Sequence, residues 1–277
     1  MSSSITSIKT RIKSIDSTKK ITSAMKSVST VKLNRMSNYV TKNRLYNEAL
    51  KSAALCVFNS TYEFDSVYCK ENASKLNYYI VFTSDVGLCG SYNTSIVKYI
   101  VDNVSKEDYI YLIGSSCYNE LKKDGYRIVN ELTPGDDLVY HDLSKIFSLA
   151  KNKFMDEEVG EVKVIYNMFI NSISYRSIGE TILPFAHESK KENKEVIMEP
   201  NPNDIFNSVL DLYLRNDMYH LYLSSKTSEQ AARRFAMDNA TRNADDLKDS
   251  LTLEYNKARQ SSITQEITEI VSGANAL

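Results

Sequence analysis

The stretch SDVGLCG at 84–90 holds the residues with the best claim to chemistry in this chain. Gly87 and Gly90 lie three apart, after a β-rich run (NYYIVFT, 77–83) and before an amphipathic stretch at 92–104. Backbone N–H groups at such a strand-to-helix turn can cradle a phosphate. The spacing matches neither GxGxxG nor GxxxxGK[ST], so the turn reads better as structural than as a nucleotide site. Cys89 is a candidate nucleophile. The histidines, His141, His187 and His220, lie elsewhere with no partner pattern, so an inert buried thiol is the better reading. No paired His or Cys spacing suits a metal. The expectation is a chain with no catalytic, cofactor-binding or metal-binding residues of its own.

The elements around this turn explain what else the chain could do. Residues 203–277 contain no proline and a single glycine, Gly273, and residues 1–86 contain neither residue type. Glycine and proline are the strongest helix punctuators, so both ends read as long helices. A helix over 203–277 would be roughly 100 Å long at 1.5 Å per residue, too long for any small core to bury. It must lie along the other terminal helix. The expected segments are an N-terminal helix (1–58), an α/β domain (77–186) and a C-terminal helix (203–277).

Between the helices the periodicity changes. Strands are expected at 77–83, 109–114, 126–132 and 162–170, and another within 172–184. Helices are expected at 92–104, 115–124 and 142–157. Alternating strands and helices predict a largely parallel, Rossmann-like sheet. Residues 187–197 read as a charged loop, and Asn203 or Asp204 as the cap of the second long helix. The predicted fold is an α/β domain inserted between two long terminal helices that form an antiparallel coiled coil. In the first helix Ile5, Ile8, Ile12 and Ile15 form a 3-4-3 seam, which Ile21, Met25, Val28, Met36 and Tyr39 are expected to continue on a shifted stripe. Its many serines and threonines lower helix propensity, so it needs tertiary support. The second helix should outrun the first, leaving 270–277 to project.

The formal net charge is −1, but residues 1–55 carry eleven Lys and Arg against Asp16 and Glu48. That basic segment fits a solvated face, a nucleic-acid arm or an acidic protein partner, and pattern alone leaves the three open. The four cysteines have no metal-ligand spacing and fit free thiols in a reducing cytoplasm. No apolar run approaches the roughly 18 residues of a membrane span.

Several strings carry a resemblance. KITSAM (20–25), SDVGLCG (84–90), EPNP (199–202), SEQAAR (228–233) and YNKARQSSITQEITEIVSGANAL (255–277) occur in this order. Together they resemble the gamma subunit of F-type ATP synthases, along the whole chain. The resemblance implies a rotor shaft and no enzyme activity of its own. It implies alpha, beta, epsilon and c-ring subunits as partners, no nucleic acid, no cofactor, and a place on the cytoplasmic face of the cell membrane held through the c-ring. Rotation of the c-ring would drive ATP synthesis, or hydrolysis in reverse, at the beta subunits. The alternative is the shaft of a divergent rotary ATPase that only hydrolyses ATP.

By the same resemblance, Lys20, Met25, Lys26 and Lys32 would meet the lever segment of beta, and Arg259 and Gln260 its catch loop. Val271, Ala274, Ala276 and Leu277 would form the bearing tip. Arg44, Tyr213 and Tyr219 would lie near the foot, toward the c-ring and epsilon. Two positions depart from the family pattern. Val86 stands where Arg or Lys is usual, and Lys26 is acidic in some relatives.

Overall fold

The computed structural model describes residues 2–60, 62, 64–186, 198–199 and 201–275. The expected loop at 187–197, with His187, lies outside the described residues, as do Pro200, Ala276 and Leu277. The chain divides into two compact units: Met1–Thr30 with Arg233–Leu277, and Val31–Ala232.

The first unit is a helix pair, made from the start of α1 (Ser2–Phe58) and the end of α5 (Pro202–Asn275). The pair is antiparallel. Asp16 meets Lys248 (2.7 Å), Lys19 meets Asp245 (2.5 Å), Thr22 meets Thr241 (2.8 Å) and Lys26 meets Asp238 (2.6 Å). Ile8, Met237, Ala244 and Leu251 supply its buried apolar positions. The serines and threonines of α1 are accommodated by bonding back to carbonyls four residues earlier, as Thr10, Ser17, Thr18 and Ser27 do.

The seam of α1 does not shift. The least exposed positions run Ile5, Ile8, Ile12, Ile15, Lys19, Thr22, Lys26, Ser29, Leu33, Met36, Val40, Asn43, Asn47, Leu50, Ala54 and Val57, an unbroken 3-4 alternation. The expected shifted stripe is therefore corrected: Ile21 (61 % exposed), Val28 and Tyr39 face solvent. Hydrophobicity misled here because polar seam residues stay inside wherever they find a partner across the pair.

The second unit holds the sheet: β1 (Asn77–Phe82), β2 (Tyr109–Ile113), β3 (Arg127–Ile128), β4 (Glu161–Phe169) and β5 (Tyr175–Leu183). The order is β3-β2-β1-β4-β5, parallel except for β5, which pairs antiparallel with β4. Strand β1 is buried on both faces, as a central parallel strand must be. Its residues alternate between two cores. Tyr78, Ile80 and Phe82 join α4 (Tyr140–Met155) and the long helices through Phe147, Phe206, Leu210 and Leu214. Tyr79 and Val81 join α2 (Tyr92–Asn103) and α3 (Tyr118–Lys123) through Ile96, Ile100 and Leu121. Each such fully buried side chain contributes about 1.5–3 kcal/mol relative to exposure.

Two local expectations fail for identifiable reasons. The strand expected over 126–132 shrinks to Arg127–Ile128, with an isolated bridge between Ile113 and Thr133. Asn130 replaces the ladder by accepting from Leu112 N–H (2.8 Å) and donating to its carbonyl (2.9 Å). The cap of α5 is Asn201, not Asn203 or Asp204. Its Oδ1 accepts from Asn203 N–H at 2.9 Å, and Pro202 takes the first helical position, where its missing N–H costs nothing.

Candidate partner-contact surfaces

The turn at 84–90 is a clasp. It leaves the carboxyl end of β1, and Gly114 leaves that of β2 beside it. Gly114 has φ +100°, and a Cβ there would sit 2.5 Å from the Thr83 carbonyl, so no other residue fits without a shift. Into this junction Asp85 turns its carboxylate. It accepts from the backbone N–H groups of Ser115 (3.2 Å), Gly135 (2.9 Å) and Asp136 (2.7 Å). These donors are the kind that would greet a phosphate, and the chain fills them with its own anion. Cys89 is buried, its Sγ 3.6 Å from the Asn93 amide nitrogen and 3.7 Å from Ser84 Oγ. Val86 is 55 % exposed, and its backbone carbonyl accepts from Ser84 Oγ at 3.0 Å.

Several cations of α1 are answered by this chain's own acids. Lys20 pairs with Asp16 at 3.1 Å while staying well exposed. Lys26 lies in the seam on Asp238, which also takes Arg242. Lys32 reaches Asp136 at 3.5 Å. Hydrogen bonds from Lys248 and Lys20 hold the Asp16 carboxyl down at about 2. Met25 is half-buried. Between these residues Ile21, Val28 and Val31 present an exposed apolar stripe at 58–69 % exposure.

On α5, Arg259 and Gln260 are both exposed. Beyond them Ile263, Ile267, Ile270 and Val271 stand out at 43–71 % exposure, at helical spacing along one side. Ala274 is also exposed.

At the other end of the helices, Arg44 is exposed and pairs with Glu48 at 3.8 Å. Tyr219 is half-buried, stacked on Tyr222 and edge-on to Tyr140. Tyr213 is buried, edge-on to Phe185, so its ring serves the core rather than an outer contact. Behind them runs a polar ladder that sequence reading missed. Asn43 donates to Asn216 (3.0 Å), Asn216 to Asn47 (2.7 Å) and Asn47 to Asp217 (2.8 Å), while His220 Nδ1 lies 3.1 Å from Asn43 Oδ1. Burial pushes the Asp217 carboxyl up, against the Asn47 hydrogen bond and the Lys51 charge. Asparagines at 3-4 spacing in α1 were the available signal.

The surfaces so described belong to two units: a helix pair whose α5 end exposes a line of apolar side chains, and an α/β unit with a polar ladder on its helices. The family model described as ATP synthase matches residues 4–277. The curated "ATP synthase gamma chain" of Mesoplasma florum is 35 % identical over 280 residues, covering 99 % of this chain and 98 % of that one. The chain belongs to the ATP synthase gamma-chain family.

Solved structures agree. A chain of the Tetrahymena thermophila mitochondrial ATP synthase, from its central stalk/c-ring structure, matches at TM-score 0.60 and 28 % identity, over 79 % of this chain and 99 % of that one. A chain of the Euglena gracilis mitochondrial ATP synthase, from its OSCP/F1/c-ring structure, shares the fold at TM-score 0.69 and 19 % identity, over 100 % and 95 %. Membership accounts for the two long helices and the inserted sheet. No helix among the described residues is long and apolar enough to cross a membrane.

Proposed function

We propose that this chain is the central rotor shaft of an F-type ATP synthase, with no catalytic residues of its own. It couples rotation of a membrane-embedded c-ring to ATP synthesis or hydrolysis at the beta subunits. The observation that carries this reading is the end-to-end family match together with the uncovered apolar end of α5. That end, with Val271 and Ala274 and the sequence-expected Ala276 and Leu277, suits a bearing that turns without strong ion pairs holding it at fixed angles. The partners are alpha, beta, epsilon and the c-ring. The chain acts at the cytoplasmic face of the cell membrane, held there through the c-ring.

In this reading Lys20 and Met25, with the apolar stripe beside them, meet the beta lever. Lys26 and Lys32 act there as charges shared with Asp238 and Asp136 rather than as free cations. Arg259 and Gln260 engage the beta catch loop, where a forked donor suits transient carboxylate or carbonyl partners. Arg44 and Tyr219 lie toward the foot, and Tyr213 supports them from within the core.

Co-purification of the tagged chain from its host, with subunit identification and an ATPase assay, tests the proposal. Alpha, beta, epsilon and c subunits with nucleotide-dependent activity are expected. Alpha and beta without a c-ring would point to a hydrolysis-only motor. Recovery of the chain alone, or with nucleic acid, would overturn the shaft reading.

A further inference from the structure

One ion cluster in the second unit ties three separate parts of the chain together. Lys226, on α5, has a side chain only 6 % exposed. Its ammonium lies 2.8 Å from Asp136, in the turn that precedes α4, and 2.8 Å from Glu229, one helical turn on. From the other side, Lys32 of α1 reaches the same Asp136. One turn back on α5, the Tyr222 hydroxyl donates to the Gly135 carbonyl at 2.9 Å. The 133–136 turn is itself held to the end of β1, because Asp85 takes the Gly135 and Asp136 N–H groups.

The path is continuous. It runs from β1 through Asp85 to the 133–136 turn, and from that turn to α1 through Lys32 and to α5 through Tyr222 and Lys226. A buried lysine is a costly way to add stability, since desolvation offsets much of the attraction. An apolar side chain at position 226 would fill the same space without that cost. What the ions add is direction. A hydrogen-bonded ammonium held between two carboxylates fixes the rotation of α5 about its own axis in a way that a greasy contact does not.

We propose that Lys226 and Asp136 form a torsional collar, the joint at which the α/β part of the chain grips both long helices so that they turn together. This rests on the shaft reading above. Without the joint, the helices still meet their partners, but rotation delivered to the α/β part is lost in slip before it reaches them. Lys226 and Asp136 are positioning residues; the chemistry remains on the partner subunits.

The test uses the intact complex, purified from the host with the chain replaced by variants and reconstituted into sealed vesicles. Lys226→Met is made together with Glu229→Gln, so that the buried carboxylate bonded to Lys226 loses its charge along with the ammonium. Asp136→Asn is the second variant, and its backbone N–H still reaches Asp85. ATP hydrolysis and ATP-driven ion pumping are measured on the same vesicles. Both variants are expected to hydrolyse ATP within twofold of the parent, while ions pumped per ATP fall at least threefold. Lys226→Arg, which keeps the charge and the donors, should restore most of the ratio. A merely structural role would lower the amount of assembled complex and leave the ratio unchanged. An unchanged ratio in both variants overturns the collar. Failure of the parent complex to pump at all would instead strike the shaft reading, so the two failures are distinguishable.

Discussion

The carboxylate of Asp85 lies 2.7 Å from the backbone nitrogen of Asp136, fifty-one residues away in the chain. Two further backbone donors, on Ser115 and Gly135, converge on the same carboxylate. An acid that could have been read as part of a reactive loop is instead the pin of a structural clasp.

Replacing Asp85 by Ala should therefore destabilise the fold rather than change any chemistry. Hydrogen bonds to a charged acceptor are each worth about 1.5–3 kcal/mol, and water recovers part of that at a partly exposed turn. The expected loss is about 2–3 kcal/mol in a denaturant midpoint measurement, with Asp85→Asn losing less because one acceptor oxygen remains. A loss no larger than that of a surface substitution would mean that the three amides are held in place by other contacts.

The hydroxyls of Thr22 and Thr241 face each other at 2.8 Å across the helix pair. Thr22→Val alone leaves Thr241 with one partner fewer and should cost about 1 kcal/mol. The double change to valine removes both hydroxyls and should cost less than the two single changes added together. Thermal unfolding of the four proteins gives the coupling directly. Strict additivity would show that the two hydroxyls do not interact in solution.

Acid should loosen the packing of α4 on α5 within a defined window. Burial pushes the Asp211 carboxyl up, but hydrogen bonds from Arg215, Tyr68 and Lys151 outweigh it and hold it at about 2. The folded value lies below the unfolded one, so the stabilisation is fully present above about pH 4 and is lost as pH falls toward 2. The amount is about 2 kcal/mol at most, because the carboxyl retains some solvent. Asp211→Asn should flatten the loss of stability between pH 4 and 2.5, measured by urea unfolding at each pH. A parent and variant with equal slopes would remove Asp211 as the cause.

In the assembled complex, Arg259→Ala with Gln260→Ala should slow ATP turnover several-fold. Deleting 274–277 should weaken coupling only mildly. The difference follows from what the residues offer: donors able to form state-dependent contacts at 259 and 260, against uncharged side chains at the end. Steady-state hydrolysis and pumping on both variants decide it, and equal, negligible effects would defeat the assignment of Arg259 and Gln260.

What could be read before the fold was known follows from the range of each interaction. The two long helices were legible because seven of the eight glycines and all four prolines fall between 87 and 202. The strands were legible because Tyr78, Ile80 and Phe82 alternate with Tyr79 and Val81 between two faces that are both apolar. The seam of α1 was misread past Ile15, since Lys19, Thr22 and Lys26 are turned to the seam by Asp245, Thr241 and Asp238, over two hundred residues away. The short β3 and the cap at Asn201 were missed for a related reason. In each, a side-chain amide stands in for backbone pairing, and asparagine looks the same in a loop whether or not it does so. Asp85 and Lys226 were invisible as a connected pair because Thr133-Pro134-Gly135-Asp136 announces a turn but not which distant segments it joins.

The bare end of α5 has a consequence for how such a chain is made. Ile263, Ile267, Ile270 and Val271 face water along one side of a helix. Until something encloses them they are as ready to stick to another copy as to the proper socket. A cell that makes this polypeptide in excess of its partners therefore accumulates a self-adhesive intermediate. Its supply must be matched to theirs, and clumping on overproduction alone is the outward sign.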